Sequence, residues 1–333
     1  MTYKISAVVQ LVVALQVLVG SNGAMGVGVS DSTRAKNASL SPPLSANSPS
    51  LYTPALDDGT IWYRESRIHK TRLGIFLGGL LLADAYAFKK YADTWYNTPR
   101  SNFHFHEWRR DSREYQQMDK LGHIMDAYFS THTASRFLRW AGLSARKSFW
   151  YGALTGFWWM MQVEIVDGFY KNWGFSVLDF SANVVGVGFA LLQLHHPGRL
   201  NAIRFKISYW PSPEFKRKEY SQFSRNIVDD YEGITIWLAA NIHDLLPQRW
   251  QEAMPGWLKP WGIAVGHGAE GIARNVFGGY REIFLGLDFD LTKIPTGNSG
   301  FLKFLKHEVN FVRMPLPTVR IAPGKALWYG IYF

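Results

Sequence analysis

Residues 177–210 read VLDFSANVVGVGFALLQLHHPGRLNAIRFKISYW. Up to His195 apolar residues dominate, and Asp179, Asn183 and Gly186 fall at i, i+4 and i+7, one stripe of a helix. The Pro197-Gly198 pair stops that helix. Beyond it Ile203, Phe205, Ile207 and Tyr209 alternate with polar residues, which is the period of a strand. This change of period divides the chain into a helical part and a β-rich part, and the fold class it predicts is α+β.

Toward the N-terminus the helical pattern extends back to Ile61. Leu73–Leu82 (LGIFLGGLLL) runs on through Asp84, and Ser148–Val166 is a second long apolar stretch. Each carries an acidic or amide residue and glycine, and none gives 18 clean apolar residues, so they fit core helices of a bundle at least as well as membrane spans. The glycines of GGLLLADAYAF (78–88) predict close helix packing. Before these helices, MTYK, the apolar run Ile5–Gly20 and the small residues Ser21–Ala24 form a secretory signal pattern over 1–24. Residues 25–59, rich in Ser, Pro, Ala and Asn, read as a linker too polar to build a core. The helical domain is then 60–197 and the β-rich domain 198–333.

In the C-terminal part Ile234, Ile236 and Leu238 alternate with other residues, as do Ile283, Leu285, Leu287, Phe289 and Leu291; Trp261–Val265 and Val309–Met314 are shorter candidate strands. The chain closes on Leu327, Tyr329, Ile331 and Phe333, a pattern that resembles the assembly signal of outer-membrane β-proteins. About six strands fall short of the eight of a closed single-chain barrel, which leaves an antiparallel sheet or a partial barrel after an N-terminal helical bundle.

Composition points the same way. Of 333 residues 47% are hydrophobic and 16% aromatic, with 14 Trp, while 19% are charged against the quarter usual for soluble domains, so lipid contact is expected. The net charge of +10 favours acidic partners; export removes nucleic acid, leaving anionic lipid or lipopolysaccharide head groups at the outer membrane. Basic residues sit among aromatics at Arg64, Arg67, Lys70 and Arg72, at Arg136, Arg139, Arg146 and Lys147, and at Lys216, Arg217 and Lys218, a pattern that suits a surface facing lipid phosphate. With no Cys, disulfides, thiolate metal sites, a Cys nucleophile and a lipobox are excluded. No P-loop or dinucleotide fingerprint is present.

Chemistry concentrates in a polar seam. Asp119, His123, Asp126 and Ser130 fall at i, i+4, i+7 and i+11; Glu164 and Asp167 interrupt a strongly apolar helix; Asp179 and Asn183 interrupt another. Buried carboxylates are costly unless paired, so these seams should face one another, with His123 and Lys120 as partners. Three uses are open: a hydrogen-bonded network fixing helix register, an oxygen-rich site for Mg, Mn or Ca, or a catalytic site in which His123, with Asp119 and Glu164, acts as general base beside Ser130 or Ser176. No GxSxG elbow accompanies the last. His104 and His106, at strand-like spacing, could bind metal but read rather as a surface loop, and His267, between Gly266 and Gly268, as a tight turn, at a ligand mouth or simply a turn. The sequence specifies no metal, cofactor or protein partner.

DKLGH (119–123), EIVD (164–167) and GFSVLDFSANVVG (174–186) resemble the three ordered motifs of the YfiM-type family of predicted periplasmic or outer-membrane lipoproteins, and more distantly the VanZ-like helical membrane domain. The likeness covers roughly 70–195; longer members carry β-rich tails similar to DYEGITIWLAANIHDLLP (230–247) and GIAVGHGAEG (262–271). The resemblance implies location and architecture, and no activity. The expectation is an outer-membrane-associated envelope protein with a structural, lipid-binding or partner-binding role, its rival a lipid- or glycan-acting hydrolase or transferase.

Overall fold

The computed structural model describes residues 68–217, 227–297 and 299–333, so the expected signal peptide and linker lie outside the described residues. Four long helices come first: α1 (Lys70–Thr94), α2 (Met118–Trp140), α3 (Ala145–Asp167) and α4 (Val177–His195). α2 is the axis of the bundle. Gly152 and Gly156 of α3 let Ser135 and Thr131 of α2 approach the α3 backbone, and Gly186 of α4 lies against the Ile124 carbonyl. A Cβ at Gly156 would stand 2.4 Å from Thr131 Oγ1 and 2.8 Å from its backbone nitrogen, so only glycine fits. The close packing expected at Gly78 and Gly79 is absent, because both face open space. α1 packs through Leu73 and Phe76 against Ala134 and Leu138, and leaves Ile75, Leu82 and Tyr86 exposed. By length and composition α1 and α4 could cross a membrane.

The β-rich part is one antiparallel sheet in sequence order: β1 (Ile203–Tyr209), β2 (Ile234–Asn241), β3 (Trp261–Glu270), β4 (Tyr280–Phe289), then, after helix α5 (Gly300–Val309), β5 (Leu316–Ala322) and β6 (Lys325–Tyr332). The fold is therefore α+β with a partial barrel. β3 runs past Val265 to Glu270 because Gly266 leaves room for the Trp237 ring of β2, 2.7 Å from where a Cβ would be. His267 is accordingly mid-strand, paired with Ile236 and Ile283, and not in a turn. Val309–Met314 is not a strand: Val309 ends α5, and Val312 makes a single parallel bridge to Ile207. β5 escaped the alternation count because Pro317 interrupts its start. Leu291 has left β4 for a 3-10 turn.

The sheet is curled. Lys206 Nζ of β1 lies 2.8 Å from Asp288 Oδ2 of β4, two strands that are not neighbours, and Thr235 of β2 hydrogen-bonds Tyr332 of β6 at 3.0 Å. Inside the curl Trp237, Phe284 and Tyr332 pack together in tilted and edge-to-face contacts, Arg313 covers the Trp237 ring at 3.9 Å, and Lys206 also donates to the Phe289 carbonyl and Asn310. The outer face is apolar. One corner of it, Phe205, Ile207 and Ile236, packs with Met118, Met125 and Tyr128 of α2, which joins the two halves.

Two residues of the basic clusters are not on the surface. Arg136 is buried against Glu308 at 2.7 Å, and Arg139 is buried donating to the Leu143 carbonyl at 2.7 Å.

Candidate functional site

Asp119 and His123 of α2, Glu164 and Asp167 of α3, and Asp179 of α4 meet in one pocket of about 120 Å³ at the junction with the 106–118 segment and Tyr231. Sequence spacing fixes one face per helix, and the glycine contacts bring those faces together. Lys120 Nζ is the hub: it bonds Asp111, Asp119 Oδ2 at 2.8 Å, and both oxygens of Asp179 at 2.9 and 3.1 Å. His123 Nδ1–H donates to Asn183 Oδ1 at 3.1 Å, while its Nε2 faces Glu164 Oε1 at 3.5 Å and Asp179 Oδ1 at 4.0 Å. Ser176 caps α4: its Oγ accepts from the Asp179 amide at 2.9 Å and donates to Asp111 Oδ2 at 2.6 Å, and its own amide donates to Glu164 Oε2 at 3.2 Å.

The energetics follow from burial. Glu164, 1% exposed, is held well above the usual carboxyl range by desolvation, with Asp179 and Asp167 adding to the effect. Desolvation and then Asp179 raise Asp119 to about 6, although Lys120 opposes this. Asp167 rises to about 8, again through desolvation first, with Tyr96 hydrogen bonding against it. Carboxylates so crowded share too little positive charge to be ionised together.

Two seam members lie apart from this centre. Asp126 is exposed and lines a neighbouring 250 Å³ cleft between the helices and Tyr209, Ile227 and Ile234, and Ser130 lines neither cavity. Asp119 contacts Lys120 and not the imidazole, so the carboxylate beside His123 is Glu164.

Sequence reading missed Asp111, Glu114 and His106. His106 is no surface-loop residue: Nε2 lies 3.1 Å from Glu114 Oε2 and Nδ1 3.0 Å from the Trp173 carbonyl. The Glu114 hydrogen bond raises the imidazole, with burial opposing; burial alone would raise Glu114, but His106 and Arg110 more than reverse it. The backbone that delivers these residues is strained. Tyr115, Gln116 and Gln117 all have left-handed φ, at 52°, 52° and 64°, at a cost on the order of 1–2 kcal/mol each. The β3–β4 hairpin holds them there: Tyr115 N donates to the Val276 carbonyl at 2.8 Å, Gln116 Nε2 to that of Gly278 at 2.9 Å, and Arg281 bonds Gln117. The signal available was HFHEW itself, whose two His at strand-like spacing could bind metal but read as an aromatic, basic surface loop.

Residues 106–195, the span that builds the pocket, match the model of a family described as a predicted periplasmic lipoprotein (DUF2279). That description agrees with an exported envelope protein. The matched segment runs from His106 to His195 and so includes every residue lining the pocket except Trp95, Asp229 and Tyr231. Among curated proteins and solved structures there is no match to the chain.

Proposed function

We propose that this is an outer-membrane-associated envelope protein that rests the outer face of its curled sheet, with the adjoining β2–β3 connection, in lipid. The observation that carries the reading is the inverted sheet. Charged and polar residues, Lys206, Asp288, Thr235 and Thr318, are buried inside the curl, while the outward row Leu238, Val265 and Leu285, consecutive partners across three strands, is 45%, 49% and 46% exposed. Ile263 and Leu287 extend this row on one side, Ile283 and Ile321 on the other. Proteins that live wholly in water seldom expose a continuous patch of this kind, and alternation with apolar residues outward and polar residues inward is what lipid demands of a sheet.

The end of the sheet where β2 leaves and β3 enters supports the same occupant. Its connection exposes Leu245, Trp250 and Trp257, with Arg249 lying over the Trp250 ring, the aromatic and basic mix favoured at a lipid head-group layer. α5 adds exposed Phe301, Leu302 and Leu305. Of the two hydroxyls considered for the hydrolase alternative, Ser176 Oγ is engaged by Asp111 and the Asp179 amide, and Ser130 lines neither cavity.

The test is envelope fractionation of the native chain and of Val265→Glu/Leu285→Glu. The native protein should remain with outer-membrane vesicles through a high-salt wash, and the double variant should move to the soluble fraction with unchanged thermal stability. A native chain that is soluble throughout would remove the proposal.

A further inference from the structure

Among the described residues three groups of potential ligand side chains surround the pocket: His106, Asp111 and Glu114; Asp111, Asp119 and Asp179; and His123, Glu164 and Asp179. Hydrogen bonding separates them. In the first group Glu114 spends both oxygens on His106 and Arg110, and Asp111 spends both on Lys120 and Ser176. In the second, the Lys120 ammonium already sits among the three carboxylates.

The third group is different. His123 and Glu164 are gripped from behind and left bare in front, and Asp179 shares its oxygens with Lys120. Asn183 Oδ1 takes the His123 Nδ1 proton and leaves the Nε2 lone pair facing forward; the Ser176 amide holds Glu164 Oε2 and leaves Oε1 forward; Lys120 steadies Asp179. Nε2 and Oε1, together with Asp179 Oδ1, which the Lys120 ammonium also faces at 2.9 Å, come from three different helices and lie within 4.8 Å of one another. Ligands around one ion, bound at about 2.1–2.5 Å, stand about 3 to 5 Å apart. Glu164 is almost wholly buried, and Asp179 Oδ1, itself buried, has no well-aligned hydrogen-bond donor. Lone pairs turned toward one another at 3.5 and 4.0 Å repel unless something positive stands between them.

We propose that His123 Nε2, Glu164 Oε1 and Asp179 Oδ1 bind one divalent cation, with Asn183 and Ser176 as the outer partners that orient the ligands. One imidazole and two carboxylates form a mixed, mostly hard set, which favours Mn²⁺ or Mg²⁺ over a site built for structural zinc. Lys120 alone cannot offset every carboxylate here, and a cation bound at this point would take the place of the proton that burial otherwise keeps on Glu164. This inference does not depend on where the protein sits, so its failure and that of the membrane reading are distinguishable.

The probe is Mn²⁺, added to the full chain after chelator treatment and followed by electron paramagnetic resonance. Expected are one tight Mn²⁺ per chain, nitrogen coupling from a single imidazole, and a rise in melting temperature. His123→Gln should abolish the nitrogen coupling, and Glu164→Gln should weaken binding at least tenfold. Should either unfold, Asn183→Leu, which frees only the outer nitrogen, should still weaken binding by about 10–100-fold. His106→Gln should leave affinity and coupling unchanged. A native chain that binds no Mn²⁺, a His123→Gln variant that keeps its nitrogen coupling, or loss of coupling in His106→Gln would each overturn the assignment.

Discussion

Lys120 shows what one residue carries. Its ammonium is the shared counter-charge of Asp111, Asp119 and Asp179, all largely withdrawn from water. Removing one partner of such a set leaves uncompensated buried charge, so Lys120→Met should cost about 3–5 kcal/mol in urea denaturation. A loss below about 1 kcal/mol would show that the aspartates are neutral without it. A second buried acid, Asp290 at the mouth of the curl, works in the opposite direction. Burial pushes it up, but Arg204, hydrogen bonds from Thr292, and Lys206 more than reverse this, holding it at about 2. A carboxyl depressed on folding contributes stability that is present above its unfolded value near 4 and is lost as pH falls from about 4 to about 2. The native chain should therefore lose about 2 kcal/mol across that window, and Asp290→Asn should flatten this part of the acid limb. These partners could not be read from the sequence, since Lys120 and Asp179 lie 59 residues apart and Arg204 and Asp290 86.

For the helices, glycine divides by location. Gly156 lies in the α2–α3 contact and Gly78 on the open side of α1, although both stand in similar apolar runs. Ala at 156 must push against the Thr131 backbone and should cost about 1–3 kcal/mol. Ala at 78 meets nothing and should gain about 0.5–1 kcal/mol of helix propensity. Chemical denaturation of the two variants should thus move in opposite directions; shifts of the same sign would place the α2–α3 crossing elsewhere. The strands teach a similar lesson. Period-two alternation exposed β1, β2 and β4, but hid β5 behind Pro317 and shortened β3 at the glycines that accommodate the Trp237 and Phe284 rings. A glycine or proline in a strand is informative only once its cross-strand neighbour is known.

In the whole molecule, β6 is where the curl is secured. Tyr332 hydrogen-bonds Thr235 and packs against the Phe284 and Trp237 rings, and Phe333 packs at a tilt against Trp210 with ring centres 5.1 Å apart. Removing residues 325–333 should open the polar interior to water and sharply reduce amide-exchange protection in β1 and β2, whereas Phe333→Ala should leave it largely intact; equal effects would assign the closure to the terminal ring alone. By itself the sequence determined that helices precede strands, that each of three helices carries a polar stripe, and that the last strands alternate, because these are periodicities set by neighbours within a few residues. Only the tertiary structure decided that the stripes converge on Lys120 and His123, that His106 and Glu114 join them through three left-handed residues, and that the sheet turns its charges inward. Those outcomes depend on contacts between residues far apart in the chain, where desolvation, close approach at glycine and curl act together and no local pattern records the result.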